Sequence, residues 1–210
     1  MDTPRLLLCG FGPFPAAPRN PSTLAVEAVA TSGWAPPGAE IDTLSLPVSW
    51  ADAVPLVLAA ARARLSQGVL VVGVSTSADA FRVETVGRNR ASRSLPDHTG
   101  EVWHGSHIDP DGPGAVASTA PVGDILDSLV KAGVPARLSE DAGDYLCNFT
   151  LYSLIVREAA PAVGFLHVPQ ARECDPAASF DLADIHRAVR AAATGFAGAL
   201  SPAADLRRTA

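Results

Sequence analysis

Three side chains in this sequence carry the chemistry that nucleophilic catalysis needs: Cys147, His167 and Glu84. Cys147 lies in Asp141-Ala142-Gly143-Asp144-Tyr145-Leu146-Cys147-Asn148, where a Gly/Asp turn runs into an apolar stretch that reads as a helix. A thiol in the first turn of a helix meets the positive end of the helix dipole and amides without acceptors, and both favour the thiolate that attacks carbonyls. His167 follows the apolar run Val163 to Leu166 and precedes Val168-Pro169, so it sits at the C-terminal end of a strand. That edge is where sites form in open α/β sheets. The Cys147 helix leads directly into this strand, which lets thiol and imidazole meet at one sheet edge. Glu84 lies in the alternating stretch Phe81 to Val86. By pattern alone it is a solvent-facing strand residue, and the alternative is a third group that orients the histidine. A buried structural cysteine and a satisfied core histidine are the competing readings of the other two positions.

The elements that must position these groups alternate along the chain. Leu6 to Cys9 and Gly68 to Val74 are short, fully apolar runs, as expected of buried strands. Ile41 to Val48 and Phe81 to Val86 alternate as strands, Arg137 to Ser139 is a short strand, and Val163 to Val168 is another. Asn20-Pro21-Ser22 opens a helix that ends at Gly33. Further helices are expected over Ala51 to Leu65, Val122 to Lys131, Tyr145 to Glu158 and Leu182 to Leu200. Residues 89 to 114 hold no period and are rich in Asp, His, Gly and Pro, the mark of a long functional or mobile loop. Strands alternating with helices predict an α/β fold: a three-layer αβα sandwich around a central, largely parallel mixed sheet. With no repeat, linker or low-complexity tract, residues 1–210 read as a single domain.

Composition narrows the function classes. The chain is 48% hydrophobic and 18% charged, which excludes intrinsic disorder. A net charge of −6, with arginines scattered and Lys131 as the one lysine, argues against a nucleic-acid partner. Leu6 to Cys9 is too short for a signal-peptide core, and no apolar run approaches a membrane span. The expected setting is therefore the reducing cytoplasm, with no membrane partner and with homo-oligomerisation left open. Cys9, Cys147 and Cys174 show no CxxC or ligand-like spacing, so neither a disulfide framework nor a zinc cluster is expected.

Two other chemistries compete. His104, His107, Asp109 and Asp111, with Asp97 and His98 nearby, supply ligand types for a metal-dependent hydrolase within one loop, though at no helical zinc spacing. Gly10 and Gly12 follow a strand, as in a non-enzymatic small-molecule-binding α/β module, but Pro13, Phe14 and Pro15 replace the open helix entry that phosphate binding needs.

Several separated motifs resemble one family. Gly10-Phe11-Gly12-Pro13-Phe14 with Asn20-Pro21-Ser22, then Asp111-Gly112-Pro113, Ser118-Thr119 and Pro121, are similar to the N-terminal and central signatures of the pyroglutamyl peptidase I (pyrrolidone-carboxylate peptidase) family. Ala142 to Asn148 resembles its nucleophile motif, Gly164 to Pro169 its histidine motif, and Val83 to Asn89 its glutamate strand. The likeness spans roughly residues 5 to 200. Many bacterial members carry a Gly-rich segment ending in arginine where this chain has Val74-Ser75-Thr76-Ser77-Ala78-Asp79. The resemblance implies an αβα sandwich and a cofactor-free cysteine exopeptidase that removes N-terminal pyroglutamate from peptides through a thioester. It implies Cys147, His167 and Glu84 as the catalytic set, with no metal. It also implies a lactam pocket walled by Phe11, Phe14, Tyr145 and Leu146.

Overall fold

The computed structural model describes residues 3–200; the outermost residues of the expected domain, 1–2 and 201–210, lie outside the described ones. Apolar strand runs and amphipathic helices alternate as β1 (Arg5–Phe11), α1 (Pro21–Ser32), β2 (Glu40–Leu46), α2 (Ala53–Ala63) and β3 (Gly68–Val74). Two short strands follow, β4 (Phe81–Glu84) and β5 (Val86–Arg88), and β6 (Ala115–Ala117) closes the long loop. The chain ends with α3 (Val122–Lys131), β7 (Ala136–Ser139), α4 (Leu146–Val156), β8 (Ala162–Val168) and α5 (Leu182–Leu200).

Six strands form one sheet in the order β2-β1-β3-β8-β4-β7. The first four are parallel, β4 runs antiparallel to β8, and β7 is parallel to β4. Both faces are covered, as a largely parallel sheet requires. Leu6, Leu8, Leu70, Val72, Leu166 and Val168 face α1, α3 and α5. Their alternates Leu7, Cys9, Phe11, Val69, Val71 and Phe165 face α2 and α4. The expected sandwich with a mixed, mostly parallel sheet is the observed architecture.

Several boundaries shift by a residue or two from the sequence pattern, and two departures have a visible cause. The stretch Phe81 to Val86 is not one strand. At Thr85 the amide and hydroxyl both donate to the Ser139 carbonyl, at 2.7 and 2.9 Å, so the chain turns out of the sheet. Val86–Arg88 then pairs antiparallel with Ala115–Ala117 as a separate ribbon. The second helix begins at Ala53 because Ser49 and Asp52 close a turn before it, the Ser49 hydroxyl donating to the Asp52 carboxylate at 2.9 Å.

The turn from β1 into α1 is fixed by polar side chains. Asn20 caps α1 by accepting from the Ser22 amide at 3.0 Å and donates to the Gly12 carbonyl at 2.9 Å. The Ser22 hydroxyl donates to the Phe11 carbonyl at 3.0 Å. Gly10 lets the helix lie on the strand, since a Cβ there would stand 2.8 Å from the Ser22 carbonyl oxygen and 2.9 Å from Val26 Cγ2. Gly10→Val is therefore expected to destabilise the fold by about 3 kcal/mol, the upper end of the overpacking range. A denaturant midpoint unchanged from wild type would contradict this packing.

Candidate active site

The N-terminus of α4 comes to the C-terminal edge of the parallel strands. Gly143, at φ +83°, takes a left-handed turn that L side chains rarely adopt, and its amide donates to the Asp141 carboxylate at 3.0 Å. Arg90 pairs with Asp141 at 2.8 Å, and Arg88 donates to the Glu140 carbonyl, so the ribbon β5–β6 holds this turn. Tyr145 is the extended N-cap residue, and the first helical bond runs from the Phe149 amide to the Tyr145 carbonyl at 3.0 Å. The amides of Leu146, Cys147 and Asn148 consequently have no acceptor within the helix. Cys147 is half-buried over β3. Gly73 makes room for it: a Cβ there would lie 3.0 Å from Cys147 Sγ and 2.7 Å from Phe165 Cζ.

Gly73 is also the register partner of His167 on β8. On the other side of β8, Glu84 stands opposite Phe165, one diagonal step from His167 on the same face. Its Oε1 lies 2.8 Å from His167 Nδ1, with Glu84 0% and His167 5% exposed. The solvent-facing reading of Glu84 is thus overturned: it is fully buried, on the same face of the sheet as Phe165 and His167. Because Nδ1 is taken by Glu84, Nε2 is the ring nitrogen left for Cys147, whose sulfur lies over Gly73, the register partner of His167. Burial alone would push the His167 pKa down. The charge and hydrogen bond of Cys147, then those of Glu84, outweigh it and raise the value to about 9.

The four expected pocket residues lie around the same edge. Phe11 and Leu146 are buried, 3% and 1% exposed, within the core layer on this face. Phe11 lies 6.5 Å from Phe165, whose ring is 4.8 Å from His167. Phe14 and Tyr145 are half-buried and meet at 6.2 Å between ring centroids. The Tyr145 hydroxyl donates to the Pro96 carbonyl at 2.7 Å, and burial, then the charges of Asp97 and Cys147, push its pKa up to about 12.

The sequence reading did not single out the groups that hold the 89–114 loop against this edge. Asn148, the residue after Cys147, accepts from the Arg88 amide and donates to the Arg88 and Arg90 carbonyls, each at 2.8 Å. Asn89 clamps Asp109 and Gly112. Buried Asp97 accepts from the amides of Trp50, Thr99 and Glu101 and from the Thr99 hydroxyl. Trp50 joins Tyr145 edge-on at 5.3 Å. Asparagines beside the nucleophile and beside the glutamate strand were visible in the sequence, but their backbone partners were not.

The competing chemistries find no comparable geometry. Among the described residues, no three His, Cys, Asp or Glu side chains converge as metal ligands, and His107 bonds its neighbour Ser106 instead. Gly10 serves helix packing, and the Gly12 amide donates to the Leu46 carbonyl at 2.8 Å, so neither cradles a phosphate. Cys9 is fully buried, and burial pushes its thiol pKa far up. Cys174 is also raised, chiefly by desolvation.

A thiol at a helix N-terminus, beside an imidazole that a buried carboxylate holds, on the C-terminal edge of an α/β sheet, is the arrangement of a cysteine peptidase. Comparison with known proteins makes the class specific. Residues 4–197 match the family model described as pyroglutamyl peptidase. A pyrrolidone-carboxylate peptidase from Deinococcus radiodurans is 34% identical over 182 residues, covering 79% of this chain and 78% of that one. One from Streptomyces coelicolor is 34% identical, covering 82% and 81%. The crystal structure of pyroglutamyl peptidase I from Bacillus amyloliquefaciens superposes with a TM-score of 0.85 at 27% identity, over 93% of this chain and 96% of that one. A mutant pyrrolidone carboxyl peptidase from Pyrococcus furiosus gives 0.85 at 25% identity, over 94% and 100%. The chain belongs to the pyroglutamyl peptidase family.

The electrostatics give a direct test. His167 is expected to stay protonated through neutral pH and to titrate near 9, and Cys147→Ala is expected to lower that midpoint by removing its largest favourable partner. Because the folded value lies above the unfolded one near 6.5, the stability this group contributes is fully present below about pH 6.5 and is lost as pH rises through about 9. NMR titration of the imidazole checks both, and a wild-type midpoint at or below 6.5 would contradict the raised His167 value.

Proposed function

We propose that the Cys147 thiolate attacks the carbonyl joining an N-terminal pyroglutamyl residue to the rest of a peptide. The support is the buried Glu84–His167 pair at 2.8 Å beside the Cys147 sulfur over Gly73, in a chain whose family is named for this activity. The sulfur forms a bond to the carbonyl carbon, and the oxygen becomes an anion that the free amides of the first α4 turn are placed to receive. His167 Nε2 gives its proton to the leaving amine as the C–N bond breaks, leaving a pyroglutamyl thioester. His167 then takes a proton from water, whose oxygen attacks the thioester and releases pyroglutamate and the thiolate. Glu84 fixes the imidazole's tautomer and orientation. No step needs a metal or cofactor, and a reducing, cytoplasmic setting would keep the thiol free.

Specificity follows from the pocket's lining. Phe14 and Tyr145 form an aromatic wall for the flat, uncharged lactam, with Phe11 and Leu146 as its floor. An ordinary N-terminal ammonium placed there would be desolvated without a carboxylate partner. Among the described residues no helix is long and apolar enough to cross a membrane, and the substrate is taken as a peptide in water.

Cys147→Ser should lose nearly all turnover of a pyroglutamyl amide while keeping the wild-type melting curve. Glu84→Gln should lower kcat more than it raises KM. Gly73→Ala, which pushes on Sγ without touching substrate, should cost on the order of 10²-fold in kcat. Matched peptides beginning with pyroglutamate, proline and glutamine should be cleaved only in the first case. Equal kcat/KM on all three, or near-wild-type turnover by Cys147→Ser, would refute this reading.

A further inference from the structure

Arg82 is a cation beside the candidate site with no role in the mechanism above. It lies on β4, directly opposite His167 in the β4–β8 register and two residues before Glu84, which places it on the face that carries the triad. It is half-buried, and its Nε is buried with no hydrogen-bond partner among the described residues. Its neighbour across the β4–β7 register, Arg137, is paired with the exposed Asp79 at 2.7 Å; the charge of Arg82 also acts on that carboxylate, but among the described residues no carboxylate makes an ion pair with Arg82. Nε is covered by protein, so an anion from solution would meet the rest of this half-buried guanidinium, which has no ion-pair partner among the described residues.

Strand order says which anion can reach it. Along the C-terminal edge the groups run from Phe11 on β1, to Gly73 on β3 beneath the Cys147 sulfur, to His167 on β8, to Arg82 on β4. Adjacent strands are about 4.8 Å apart. With the lactam on the Phe11 and Phe14 side of the sulfur and the leaving amine over His167, the next residue of the peptide extends toward β4. In a pyroglutamyl dipeptide, the α-carboxylate oxygens lie roughly 3–4 Å beyond that amine, within the reach of an arginine side chain standing opposite His167.

We propose that Arg82 is a specificity-determining residue that binds the free α-carboxylate of the residue after pyroglutamate, so that pyroglutamyl dipeptides are favoured over C-terminally blocked or longer peptides. This rests on the reaction and the lactam orientation given above. A planar, bidentate guanidinium suits a carboxylate, and the half-dry site strengthens the bond relative to water.

The test compares kcat/KM of the full-length protein on pyroglutamyl-alanine, its C-terminal amide, and pyroglutamyl-aspartate amide. Wild type should favour the free acid over the alanine amide about tenfold, chiefly through KM, with the preference shrinking as salt is added. Arg82→Gln should bring that ratio close to one through a fall on the free acid, and Arg82→Lys should keep part of it. A wild-type ratio of one, a ratio that survives Arg82→Gln, or equal losses on both substrates would overturn the proposal, the last by marking a structural role. So would a preference confined to the aspartate side chain. If Arg82→Gln fails to fold, the wild-type ratio, its salt dependence and Arg82→Lys still decide. Turnover of every substrate with a flat ratio defeats the Arg82 assignment alone. No turnover of any of them defeats the proposed reaction and this assignment with it.

Discussion

A carboxylate that exposes none of its surface to water depends on what it meets inside the protein, and Glu84 meets the His167 imidazole at 2.8 Å through Oε1, while its Oε2 has no hydrogen-bond partner among the described residues. Much of the local architecture follows from that pairing. It needs β4 beside β8, at the point where the sheet reverses and β4 and β7 run opposite to the four parallel strands. It spends His167 Nδ1 on Glu84, which leaves Nε2 for Cys147. It also needs the face over β4 closed, since Glu84 is fully buried there. Burial alone would favour the neutral imidazole, and the neighbouring Cys147 and Glu84 outweigh it to raise the His167 pKa.

The second constraint is steric and sits on β3. A sulfur can lie over the sheet only where the strand beneath it has no side chain, and Gly73 provides that gap beside His167. Polar clamps set the remaining distances. Asn148 ties the start of α4 to Arg88 and Arg90, while Asn89 and Asp97 tie the long loop to itself and to Trp50. Their effect is to hold a 26-residue irregular segment at fixed positions beside the nucleophile, where Pro96 receives the Tyr145 hydroxyl. The loop has many anchors for a segment without regular structure.

How much of this the sequence reveals depends on how local each signal is. Cys147 and His167 are legible because a Gly/Asp turn before a helix and an apolar run before Val-Pro are contiguous patterns, and chain order alone brings the two to one edge. The alternation of strands and helices is legible for the same reason, down to α3 and α5. Glu84 is different. Its alternating strand reads as half-solvated, and only the elements that cover β4, contributed from residues far along the chain, bury it. The break at Thr85 escapes the pattern because its cause is a pair of bonds to Ser139, 54 residues away. The loop clamps escape it too, since a side chain bonding backbone 20 to 60 residues distant leaves no mark on periodicity. Family resemblance supplied Glu84 where physics read from the strand alone did not.

The account's centre is covalent capture at one thiol of three. Mixing the protein with a pyroglutamyl amide, quenching in acid during turnover and mapping the digest by mass spectrometry addresses it directly. The prediction is a pyroglutamyl group on the peptide that contains Cys147, absent after Cys147→Ser and absent from the Cys9 and Cys174 peptides. Full turnover with the acyl group on Cys174, or with Cys147→Ser still acting at the wild-type rate, would contradict it.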